Sequence, residues 1–80
     1  MTDTRTHARI RRAVSIAARA RSNISAASET LATVSLDMGE LEGEPAAVEI
    51  ANRIDEEILA LNALDTRLEE MIELLGNLAP

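Results

Sequence analysis

Glycine and proline fall at only five positions of this 80-residue chain: Gly39, Gly43, Pro45, Gly76 and Pro80. Two long stretches, before Gly39 and from Ala46 to Leu75, contain neither residue. Proline breaks a helix interior, and glycine weakens one by ~1 kcal/mol relative to Ala. The chain is therefore freest to form two long helices joined at a single turn. Ala, Leu, Glu and Arg dominate the sequence, and all four are strong helix formers.

Apolar residues recur at heptad spacing in both stretches. In the first, Ile10, Ala17, Ile24, Leu31 and Met38 stand seven apart and define position a. Ala13, Ala20, Ala27 and Val34 follow three later, at position d. In the second, Ala47, Ile54, Leu61, Leu68 and Leu75 occupy a, and Ile50, Glu57, Leu64, Met71 and Leu78 occupy d. Such a sustained a/d pattern is that of helices packed in coiled-coil fashion. Glu57 spoils the second row, and the reading is that it turns to water while Ile58 rotates inward.

These signals place one helix over about residues 4–38, with Asp3 or Thr4 as N-cap and Gly39 as the left-handed residue that ends it. The turn covers residues 39–44. Pro45 opens the second helix, where its missing N–H costs nothing, and Gly76 stops it after about residue 75. The fold class expected is all-α: a two-helix antiparallel hairpin, coiled-coil-like, forming one domain over 1–80.

Charge supports the antiparallel sense. Residues 1–23 carry six Arg against Asp3, whereas residues 24–80 carry Arg53 and Arg67 against thirteen acids. Arg5, Arg9, Arg11 and Arg12 crowd a helix N-terminus, and Glu69, Glu70 and Glu73 crowd a C-terminus. Both are the wrong sign for the helix dipole. A hairpin sets the two ends side by side, so each offsets the other.

A lone hairpin gives each helix only one neighbour, and this chain has no aromatic residue to enlarge its core. Association is the expected remedy, completing a four-helix bundle with itself or with another helical protein. The residues expected at that partner interface are Val14, Ile16, Ile58, Leu59, Ile72 and Leu74.

Reactive chemistry has little to stand on. There is no Cys, Lys or Tyr, and His7 is the single histidine. A calcium loop read from Asp37 would need Gly at its sixth position and Glu at its twelfth. Glu42 and Val48 stand there instead. The expectation is a non-enzymatic protein without metal or cofactor: a small interaction or oligomerisation subunit, of the kind found as phage, mobile-element or secretion-system accessories.

The competing reading is nucleic-acid binding. Thr4 to Ser28 contains six Arg and no acid, and Arg5, Arg9, Arg12 and Arg19 share a helical face that could track phosphates. A net charge of −6 repels a polyanion, and no aromatic can stack on bases. That reading is therefore disfavoured. With no apolar run of transmembrane length and no signal-peptide pattern, a cytoplasmic location is expected, and export without a signal sequence is compatible with the same features. In outline the chain resembles the small secreted hairpins of type VII systems and the needle subunits of type III systems. It lacks the Trp-x-Gly turn of the first and the Pro-rich turn and aromatic tail of the second.

Overall fold

The computed structural model describes residues 4–78 and consists of two helices, α1 over Thr4–Gly39 and α2 over Pro45–Asn77. They fold back on each other as an antiparallel hairpin, a rod with extents of 65 × 14 × 12 Å. The all-α hairpin expected from punctuation and heptads is the fold observed. The N-cap expected at Asp3 lies outside the described residues.

The turn is built differently from the sequence reading. Gly39 remains helical, and the left-handed residue is Gly43, at φ +80°. The last turn of α1 tightens instead of ending in a left-handed cap. The Glu40 N–H donates to both Leu36 O and Asp37 O at 3.2 Å, and the Leu41 N–H to Met38 O at 3.2 Å. Such i→i−3 bonds satisfy carbonyls that a helix end would otherwise orphan. Pro45 opens α2 as expected, behind Glu44 in an extended conformation (φ −109°, ψ 96°). α2 likewise passes through Gly76, and the Leu78 N–H caps Leu75 O at 3.1 Å.

The seam between the helices uses the a rows on both. Ile10, Ala17, Ile24, Leu31 and Met38 are half-buried, as are Ile54, Leu61, Leu68 and Leu75. Beside them stands the row four after a, position e, where the sequence reading had the row three after. On α1 that row is Val14, Arg21, Ser28 and Ser35, and on α2 it is Ala51, Ile58, Asp65 and Ile72; all eight are half-buried. Ala13 and Ala20 are partly covered, whereas Ala27, Val34, Ile50, Leu64 and Met71 stay exposed.

Both choices give 3–4 spacing, so spacing alone does not decide. A seam through d would carry Glu57 inward without a counter-charge, and leaving a charge buried and unpaired costs several kcal/mol. A seam through e carries Ile58 and Ile72 instead, together with an ion pair. Ile58 rotates inward and Glu57 stays in water, as expected. The resulting core is thin: among the described residues Ala47, beside the turn, is the only one classed as buried, at 5% exposure.

Candidate functional site

An antiparallel pair seen end-on turns in opposite senses, so the e rows of both helices fall on one side of the seam and the d rows on the other. The two sides differ in chemistry. On the e side, the Arg21 guanidinium grips Asp65 with both arms, Nε to Oδ1 at 2.9 Å and Nη2 to Oδ2 at 3.1 Å. Nη2 also lies 3.6 Å from Glu69 Oε2. The two-armed hydrogen bond raises the Arg21 pKa and holds the Asp65 carboxyl below the usual carboxylate range. Further along, the Ser35 hydroxyl donates to Asp55 Oδ1 at 2.8 Å. Arg21 and Asp65 lie forty-four residues apart, so their geometry pins the register that also sets Ile24 level with Leu61.

The opposite side is apolar. Ile50, Leu64 and Met71 of α2 and its C-cap Leu78 stand along it with Val34 of α1, and each keeps more than a third of its surface in water. Position g, just before a, adds Ile16 and Leu74 at the outer edges, 53% and 65% exposed. Shallow grooves run along this side. One is lined by Leu31, Ile50, Arg53, Ile54, Glu57 and Leu61, and a second by Met71, Leu74, Leu75 and Leu78. The α1 half of the face is built from Ala13, Ala20 and Ala27, short side chains that permit another helix to approach closely.

The six residues expected at a partner interface are thus divided. Val14, Ile58 and Ile72 are half-buried in the seam. Ile16 and Leu74 stand on the apolar face. Leu59, 69% exposed, projects from the other flank of α2, between Asp55 and Asn62. Leu36 and Val48 are also on the e side, scattered singly along the rod. The d residues of α2 complete the face; the sequence marks them as heptad positions, but an isolated hairpin does not cover them.

Arg5, Arg12 and Arg19 form one line on the outer surface of α1, away from α2, with Arg9 beside it, and all four are exposed. Among the described residues none of the four makes an ion pair; the α1 cation that does is Arg21. The neutralisation expected between the basic start of α1 and Glu69, Glu70 and Glu73 is therefore one of proximity. Among the described residues direct contact is confined to Arg21.

Among the described residues no helix is long and apolar enough to cross a membrane, and no three His, Asp or Glu side chains converge as a metal site would require. His7 is half-covered at the open end of the seam. Compared with known proteins, the chain matches no family model, no curated protein and no solved structure.

Proposed function

We propose that this protein is a small non-enzymatic interaction subunit whose apolar face packs against helices and completes a four-helix bundle. The observation that carries this reading is the division of the hairpin into two unlike sides. Scattered exposed apolar residues are ordinary on any protein. Here most of them are aligned on one side, in heptad register with the seam, while the other side carries the ion pair, the serine–aspartate hydrogen bond and only scattered apolar residues. An aligned apolar patch of this kind, interrupted here by Glu57, is characteristic of a protein-binding surface. The a and d rows together are the core positions of a four-helix bundle, and the hairpin alone covers only the a half of that core.

The test is a photo-activatable cross-linker (benzoylphenylalanine) placed at Met71 on the apolar face, or at Leu59 on the opposite flank, in cells producing the protein. The reading expects a discrete adduct from Met71 and none from Leu59. Equal labelling at both positions, or none at either, overturns it.

One observation favours a second reading, in which the exposed line of Arg5, Arg12 and Arg19, with Arg9, binds nucleic-acid phosphates. A gel shift across a salt series decides it. Steeply salt-dependent binding that is lost in an Arg9→Ala/Arg12→Ala variant would establish it, and no shift at low salt removes it.

A further inference from the structure

We infer that the occupant of the apolar face is a second copy of this chain, laid end-for-end across a two-fold axis perpendicular to the rod. This rests on the interaction reading above and names its partner. Three observations carry it: surface area, charge and the row of small residues.

The chain exposes 6254 Å², whereas a compact monomer of its 8.6 kDa mass exposes about 4,700 Å². The excess is larger than the roughly 800 Å² that each partner contributes to a standard stable interface. One face-to-face pairing of standard size would therefore remove about half of the excess.

Charge selects the partner and its direction. The half of the rod near the turn, residues 24–61, carries nine carboxylates against Arg53, a net −8. The other half, residues 4–23 with 62–78, carries seven Arg against four carboxylates, a net +3. Two copies laid end-for-end set each basic half on the other's acidic half. Laid with the same ends together, they would press two −8 ends against each other. The opposite-sign halves reside in one chain, so a second copy supplies the complement that a generic helical partner would need by coincidence. Closed two-fold pairing of this kind is the commonest symmetry of soluble oligomers.

The edge positions agree. End-for-end pairing lays α1 on α1 of the second copy with Asn23 level with itself. The g residues then match as Arg9 with Asp37 and Ile16 with Thr30. In the d row, Ala13 falls level with Val34 and Ala20 with Ala27, small against small, which permits close approach of the two α1 helices. On the α2 edge, where Asn62 stands level with Asn23, Arg53 falls level with Met71 of the second copy. Arg53 is already held by Glu49 at 3.1 Å, and Arg67 comes within one helical turn of Glu57 of the second copy. That Glu57 would otherwise be covered without a counter-charge. The same-end alternative instead sets Ile16 beside Arg67 and Arg9 beside Leu74.

The chain has no cysteine, so single-cysteine variants give a clean test. Asn23→Cys and Ala60→Cys, both at exposed positions, are treated separately and as a mixture with a short bis-maleimide, alongside molar mass by sedimentation equilibrium. A dimer in which each variant links to itself, while the mixture yields no 23–60 link, is the expected result. A mixture of Arg9→Cys and Asp37→Cys should link to each other. Reversing Asp37 to Arg should weaken the dimer about two- to tenfold, and adding Arg9→Asp should restore it. A dimer that gives only the 23–60 link overturns the end-for-end arrangement. A monomer at all concentrations, with the Met71 photo-adduct containing a different protein, overturns self-pairing and leaves the interaction reading standing. A monomer with no Met71 adduct overturns both.

Discussion

Leu59 and Leu74 are equally exposed, 69% and 65%, and they stand on opposite flanks of α2. The same substitution at each should therefore give opposite results. Burying a fully exposed leucine stabilises by ~1.5–3 kcal/mol. Leu74 still has about two-thirds of that to gain, ~1–2 kcal/mol per copy. A two-fold dimer counts the residue twice. Leu74→Ala retains only a methyl group, so it should cost the dimer about 2 kcal/mol, roughly a thirtyfold rise in dissociation constant. Leu59→Ala removes the same atoms from a residue that stays in water and should change the constant less than about twofold. Leucine and alanine have similar helix propensities, so helicity by circular dichroism should be preserved in both variants. Sedimentation equilibrium over a dilution series reads the difference directly. Equal weakening by the two substitutions would refute the assignment of the apolar face, as would no weakening by Leu74→Ala in a wild type that dimerises.

Other perturbations test other parts of the structure. Gly39 is helical with nothing within 4 Å of an added Cβ, so Gly39→Ala should stabilise by ~0.5–1 kcal/mol; Gly43 has an equally open site but φ +80°, so Gly43→Ala should destabilise by ~1–2 kcal/mol. Chemical denaturation reads both, and a destabilising Gly39→Ala would restore Gly39 as the left-handed cap. The Ser28 hydroxyl is covered in the seam without a hydrogen-bond partner. Ser28→Ala should therefore raise stability by about 1 kcal/mol, visible as a rise of several degrees in Tm, and a fall would reveal a bond the hydroxyl makes in solution. The Asp65 carboxyl is held below its usual range by Arg21. Its contribution is present above the ordinary aspartate pKa of about 3.9 and is lost as pH falls through the lowered folded-state value. The gap in Tm between wild type and Asp65→Asn should thus be open near neutral pH and close in strong acid. A gap that widens on acidification would contradict the pairing.

The hairpin was legible because its determinants are local. Glycine and proline cluster where the chain must reverse, and an unbroken a row runs along each side of that point. The choice of second row was harder to read, since Ala13 and Val14, or Glu57 and Ile58, are neighbours that sit on either side of the same a line. The structure resolves it through two interactions distant in sequence, Arg21 with Asp65 and Ser35 with Asp55, which spacing does not reveal. The split among the interface candidates has the same origin. Val14, Ile58 and Ile72 look like surplus apolar residues only while the seam is assigned to d. The left-handed residue of the turn is hard to read for a different reason: two glycines four residues apart can each take that conformation, and the local hydrogen bonds decide between them. Glu57 was the one irregularity whose meaning was available from the start, because a carboxylate in an apolar row signals where that row faces water.

The burial of Ala47 beside the turn has a kinetic consequence. Closing the chain there joins Met38 to Ala47 across the shortest loop available, and each further layer, Leu31 with Ile54 and then Ile24 with Leu61, extends a structure already nucleated. The entropy of loop closure is met once, near the turn, and later layers add little to it. A chain with contacts nested in this way belongs to the fast-folding, low-contact-order class. It should zip from the turn and open from the other end. Hydrogen exchange should therefore grade along the rod, slowest in the amides flanking Ala47 and fastest near the arginine-rich start of α1, so that the acidic end remains closed while the basic end breathes.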